Sequence, residues 1–277
     1  MANNDTRTPA GEGGPVFRRF LEMPSSDPLK TLVVTLAVAL VCSTLVTGAA
    51  VVLKPLQVAN KETERQRHIV DLVTRLPGVG EGLKTGEFRL EARVVDLATG
   101  AYVPDMDPGL YDQRRAVRDP GTSVEISPKE DVAWIKRRAK YAVVYLLMDG
   151  GKPALIVLPV HGKGYGPTLY GYLGLTADLK SVVGLNFYEH AETPGLGSLI
   201  DAPAWRKQWF GKKIWDQGGT PRLGVAEGPV DPASPDAAYQ VDALTGATWT
   251  SRGVTNLLRY WLGEGGFGPY LRKLRQK

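Results

Sequence analysis

The run Asp242-Ala243-Leu244-Thr245-Gly246-Ala247-Thr248-Trp249-Thr250-Ser251 places four hydroxyls within seven residues, with Gly246 and Ala247 between them. Small neighbours leave a hydroxyl open to a bulky partner. An apolar helical pattern begins just after Ser251, over 254–262. The free N–H groups and positive dipole end of such a helix could receive a phosphate. The other reading is architectural, with Asp242 as a turn former and Ser251 as a helix N-cap.

A second run is Tyr188-Glu189-His190-Ala191-Glu192-Thr193-Pro194-Gly195-Leu196-Gly197. Glu192 and His190 suit acid–base chemistry. Pro194, Gly195 and Gly197 suit a loop with little side-chain bulk, and an ordinary turn is the alternative. A third run, His161-Gly162-Lys163-Gly164-Tyr165-Gly166, is glycine-rich without the Walker pattern, so a hairpin corner competes with a phosphate loop.

These three runs carry a resemblance. The first resembles the flavinylation motif, in which the Thr after Gly-Ala takes FMN through a phosphoester bond from an FAD-using flavin transferase. That residue is Thr248, with Thr245, Gly246 and Ala247 beside it. The second run resembles the flavin-facing loop of FMN-binding domains in redox-driven ion pumps. The resemblance implies that Glu192, Thr193, Leu196 and Gly197 line the flavin, while His190 braces the loop. His161-Gly162-Lys163-Gly164 leading into Tyr170-Gly171-Tyr172, and the ending 261–271, are similar to the C subunit of the bacterial Na+-translocating NADH:quinone oxidoreductase. Gly164-Tyr165-Gly166-Pro167 departs from the bulky apolar or Trp-containing run expected there. It is closer to the related G subunit of the Rnf-type ferredoxin:NAD+ oxidoreductase.

The resemblance implies a covalent FMN that relays electrons from NADH towards quinone, coupled to sodium export. It also implies other pump subunits as partners and a flavin transferase for maturation. No side chain is then needed as catalytic acid, base or nucleophile, because the flavin carries the redox chemistry. A reading of another class stays open: an anchored scaffold without cofactor, in which Thr248 is only a turn residue.

The elements that position these runs follow from the rest of the chain. Residues 1–30 are rich in Gly, Pro, Asn, Asp and Arg and read as a flexible tail. Residues 31–53 carry no charge and no proline. At the helical rise they extend roughly 35 Å, enough for a transmembrane helix. Asp27 and Pro28 mark its start, and Lys30, Lys54 and Pro55 flank it. A cleaved signal peptide is the weaker alternative, since the apolar stretch is long and a long segment precedes it. Thr31, Thr35, Ala39, Ser43 and Thr47 put small residues at a spacing of four, suited to a close helix–helix approach. Arg18, Arg19 and Lys30 before the span nearly match Lys54, Lys61, Arg65 and Arg67 after it, so charge does not set the orientation. The resemblance places 54–277 outside the cytoplasmic membrane as an FMN-binding domain.

Within that domain 57–76 reads as a helix stopped by Pro77-Gly78. Alternation at Phe88, Leu90, Ala92 and Val94 predicts a strand. Runs 141–148 and 154–159 flank Asp149-Gly150-Gly151 as a hairpin, 182–188 is another strand, and 203–215 reads as a short helix. Strands and helices mix without a βαβ repeat, giving an α+β class. The polar insert 105–140 reads as an outer loop or docking surface.

The 277 residues carry a net charge of +5 in no basic stripe, which argues against nucleic acid. A single cysteine, Cys42, excludes an intrachain disulfide, and His68, His161 and His190 lie too far apart in sequence to suggest zinc.

Overall fold

The computed structural model describes residue 24, residues 27–73 and residues 87–276. Nearly all of the expected tail at 1–30, and the stop at Pro77-Gly78, lie outside the described residues. The chain divides into two units, Met1–Lys61 and Glu62–Lys277.

Helix α1, Pro28–Val73, begins at Asp27, whose Oδ1 accepts the Leu29 N–H at 2.8 Å. Pro28 occupies the first helical position, where a missing N–H costs nothing. Residues Pro28–Val52 have a mean hydropathy of 2.3 and no burial within the chain, and are long and apolar enough to cross a membrane. The span expected at 31–53 and the helix expected from residue 57 belong to one element, α1, which runs to Val73.

In the second unit, five antiparallel strands form a sheet in the order β1 (Phe88–Asp96), β4 (Tyr141–Asp149), β5 (Lys152–Lys163), β6 (Thr168–Thr176), β7 (Val182–Glu189). Both faces are covered. Ala142, Val144 and Leu146 join one core with Leu158, Leu173 and Leu185, beneath helix α4 (Thr248–Leu262). Val143, Tyr145 and Leu147 join the other, which Ile69 of α1 enters fully buried. Burial on both faces is why β4 reads as a continuous apolar run rather than an alternation. The mixed sheet-and-helix domain is the α+β architecture expected.

Strand β6 has no counterpart among the elements expected from sequence. Glycines at 171 and 174 disguise it, yet Gly171 is needed: a Cβ there would sit 2.7 Å from the Asn186 carbonyl oxygen on β7. The expected helix over 203–215 shrinks to α3, Pro203–Lys207, after which turns and isolated bridges carry the chain back to the sheet. Helix α4 starts at Thr248, earlier than its apolar pattern suggested. Two short strands, β8 (Gly224–Val225) and β9 (Gln240–Val241), pair in parallel, and the Thr255 hydroxyl of α4 accepts the Val225 N–H at 2.9 Å.

The insert 105–140 is ordered. It holds α2 (Gln113–Arg118) and the hairpin β2 (Ser123–Glu125) with β3 (Arg137–Ala139). The Arg114 guanidinium lies 3.6 Å from the centre of the Tyr170 ring and pairs with Glu189 at 2.8 Å. The Ala133 carbonyl accepts the Lys163 N–H at 2.9 Å. The insert therefore grips the strand ends that lead into two of the three chemical runs.

Helix α5, Gly268–Arg275, closes the domain. Phe267, Tyr270 and Leu271 are buried, and the Tyr270 and Tyr102 hydroxyls share a hydrogen bond of 2.8 Å. Gly100, at φ +70°, lies against the Pro269 backbone, where a Cβ would overlap it.

His161 stacks on Tyr170 at 5.4 Å and tilts against Trp261 at 4.7 Å. Burial, with Arg114 adding repulsion, pushes its pKa down to about 4. The folded ring is thus neutral, while the unfolded ring takes a proton below about pH 6.5. Its stabilising contribution is complete above that pH and is lost as pH falls towards 4, by up to about 3 kcal/mol. Urea unfolding from pH 7 to 4.5 should show this loss, and His161→Phe should flatten that part of the profile. Equal slopes in both proteins would disprove it.

Candidate functional site

The three chemical runs meet at one side chain. Glu192 is 5% exposed, and its Oε1 accepts the Tyr165 N–H at 3.1 Å. Its Oε2 accepts a short hydrogen bond from the Thr250 hydroxyl. A Cβ at Gly164 or at Gly197 would overlap this carboxylate. The β5–β6 corner, the 190–197 loop and the start of α4 are therefore held together by one buried carboxylate and two glycines. Gly253 adds to the closeness, since a Cβ there would overlap the Lys163 carbonyl.

The loop is braced on its other side by His190. The ring accepts the Glu192 N–H at Nδ1, at 3.3 Å, which places the ring proton on Nε2. Nε2 then donates to Asp201 Oδ2 at 2.6 Å, and Asp201 Oδ1 accepts from Arg206 at 2.5 Å. Thr193 is exposed, and its carbonyl accepts the N–H groups of Leu196 and Ser198 at 3.1 and 3.2 Å.

The motif run is anchored at its start. Asp242 Oδ1 accepts the Val230 N–H at 2.7 Å, and Oδ2 accepts from Gln208 at 3.0 Å. The Trp205 indole donates to the Asp242 carbonyl at 2.9 Å. Asp242 is thus a clamp between distant segments rather than a turn former. A turn follows, closed by the Ala247 N–H on the Leu244 carbonyl at 3.0 Å, with Gly246 at φ +75°. Only glycine takes that conformation without strain. Ser251 is not the N-cap expected; it lies inside the first turn of α4, where its hydroxyl accepts the Leu244 N–H at 3.1 Å.

Thr248 is the first residue of α4. It is exposed, and among the described residues its hydroxyl has no hydrogen-bond partner. The N-cap, Ala247, offers no side-chain hydrogen bond, and the first turn carries no acidic residue. The start of α4 thus lacks a side-chain cap and lies beside a free hydroxyl. Leu196 borders the turn: a Cβ at Gly246 would lie 3.0 Å from its Cδ2. These features fit a phosphate-bearing group at Thr248, because an exposed hydroxyl and an uncapped helix start occur together.

Of the residues singled out from sequence, Thr248, Thr245, Gly246, Ala247, Leu196 and Gly197 come to one turn and the loop beside it. Thr245 and Thr193 are on the surface. Glu192 is beneath the surface, turned to Thr250 rather than outward. The roles of Thr250, the Tyr165 amide, Asp201, Arg206 and Gln208 were not foreseen. Thr250 and Tyr165 left a trace, the first as one of the four clustered hydroxyls and the second as a member of the glycine-rich run.

Comparison with known proteins gives the following. The FMN-binding domain family matches residues 164–263, which take in Gly164, the 190–197 loop and the motif. The C subunit of the Na(+)-translocating NADH-quinone reductase of Pseudomonas aeruginosa is 44% identical over 254 residues, covering 89% of this chain and 96% of the relative. Its counterpart from Neisseria meningitidis serogroup A is 44% identical over 246 residues, covering 88% and 93%. The crystal structure of Shewanella oneidensis NqrC matches with a TM-score of 0.69 at 32% identity, covering 79% of this chain and 100% of that one.

Proposed function

This chain belongs to the family of C subunits of the Na(+)-translocating NADH-quinone reductase, and from that membership we propose that it is the electron-carrying subunit of such a pump, with FMN bound covalently to Thr248 by a phosphoester. The observation that carries the site is the exposed, unpaired hydroxyl of Thr248 on the uncapped first turn of α4. When bound there, the flavin supplies one-electron transfer between the pump's other redox centres.

The chain's own tasks are to hold and orient. Thr248 Oγ1 provides the ester oxygen. The free N–H groups of the first turn of α4 would bind the phosphate oxygens. Gly246 and Ala247 would leave room for the group, and Thr245, Thr193, Leu196 and Gly197 would be the residues beside it. Glu192 fixes the loop to the helix from beneath through Thr250 and Tyr165. A covalent tether makes the carrier non-dissociable, which matters in a compartment where lost FMN is not replaced.

The span at 31–53 anchors the protein in the bacterial cytoplasmic membrane, with 54–277 on the extracytoplasmic side, among the other subunits of the pump. A flavin transferase using FAD completes it. The test is the intact mass of the full chain, expressed in membranes together with a flavin transferase. The expected result is a gain equal to FMN minus water, on the peptide that contains Thr248. An unmodified mass under those conditions would refute the proposal.

A further inference from the structure

The residue after the attachment threonine is a tryptophan, and Trp249 is 62% exposed. Among the described residues its indole has neither a ring partner nor a hydrogen-bond partner. Its successor, Thr250, is buried against Glu192, so the first turn of α4 is pinned from one side while the indole stands free. A second exposed apolar side chain borders this turn. Leu196, 43% exposed, lies against Gly246. The Trp249 indole and the Leu196 side chain are thus exposed apolar groups on and beside the turn that carries Thr248. Hydration of exposed apolar area is unfavourable, and an indole is best covered by another flat ring in offset stacking.

The tether does not supply that order. A ring linked to Thr248 through a phosphate and a ribityl chain turns about many single bonds. Electron transfer to a partner needs the ring at a fixed place, and a side chain on a rigid helix can provide it. Resting on the reading that Thr248 carries FMN, we propose that the indole of Trp249 stacks on the isoalloxazine ring. Trp249 is then a positioning residue that holds the flavin against the turn, with Leu196 at its border.

Flavin emission reports this contact without any turnover. A photoexcited isoalloxazine takes an electron from a stacked indole and returns it on recombination, so light is lost with no net oxidation or reduction. Tyrosine donates in the same way, and phenylalanine does not. The full chain and its Trp249→Ala, Trp249→Phe and Trp249→Tyr variants would be prepared in detergent from membranes with a flavin transferase. Intact mass fixes the FMN load of each, and emission is compared at equal load, folded and in denaturant. The expected result is a several-fold rise in folded-state emission for Trp249→Ala and Trp249→Phe, little change for Trp249→Tyr, and equal emission from all four when unfolded. Phenylalanine keeps a ring, so a rise there separates electron-transfer quenching from a packing defect. Equal folded emission from four loaded chains would overturn the stacking and leave the attachment standing. Chains that gain no FMN mass would overturn both.

Discussion

Thr248→Ala is expected to gain no flavin mass when expressed with a flavin transferase, and to unfold within about 0.5 kcal/mol of the parent chain. The reasoning separates chemistry from architecture. The hydroxyl of Thr248 supports nothing in the fold: it is exposed and has no partner among the described residues. Alanine is also the better helix former at that position. Two of the neighbouring hydroxyls are committed elsewhere, Thr250 to Glu192 and Ser251 to the Leu244 amide, so neither of these is free to substitute for it. Thr248→Ser keeps a hydroxyl in place and should gain the same mass as the parent. Intact mass with a urea titration checks both halves. A flavin gain in Thr248→Ala would move the attachment to another residue, and a large stability loss would make Thr248 a structural residue.

Glu192→Ala should have the largest effect on stability at the site. The substitution leaves the Tyr165 amide and the Thr250 hydroxyl without their acceptor, and it empties the space that Gly164 and Gly197 close around. Unpaired buried groups and a cavity together cost about 2–4 kcal/mol. Glu192→Gln fills the volume and keeps one carbonyl acceptor, so its cost should be about 1 kcal/mol. The loss falls on the contact between loop and helix, so proteolysis of the 190–197 loop should quicken in Glu192→Ala while the sheet stays protected. The midpoint of urea unfolding and the cleavage sites measure these two effects. A Glu192→Ala chain as stable as the parent would show that the carboxylate bears no part of the junction.

Much of this architecture is visible in local pattern. The capped start of α1, the Asp149-Gly150-Gly151 hairpin and the apolar strand β7 each announce themselves through residue type and spacing. What was hidden depends on tertiary context. Strand β6 is concealed by glycines whose purpose is clearance against β7, and propensity counts them as breakers. The start of α4 is concealed because Ala247 has no capping side chain, so the usual polar signal falls several residues late, at Ser251. The motif residues were legible only through resemblance, since composition alone allowed a plain turn. That Glu192 faces inward was not legible at all: a carboxylate in a Gly-Pro loop looks solvent-exposed until its partner, 58 positions away, is known.

The packing of α5 against the turn at Gly100 orders events in time. Residues 267–271 are made after every other part of this core, and they close on residues made long before, Tyr102 among them. A nascent chain halted short of Phe267 would hold the whole sheet and α4 yet leave Tyr102 and Trp261 without the aromatic partners that Tyr270 and Phe267 supply. Such a chain presents apolar surface that chaperones and proteases act on. Incomplete synthesis should therefore yield degradation rather than a slightly weaker protein, and the finished domain is sealed only when translation has passed its last helix.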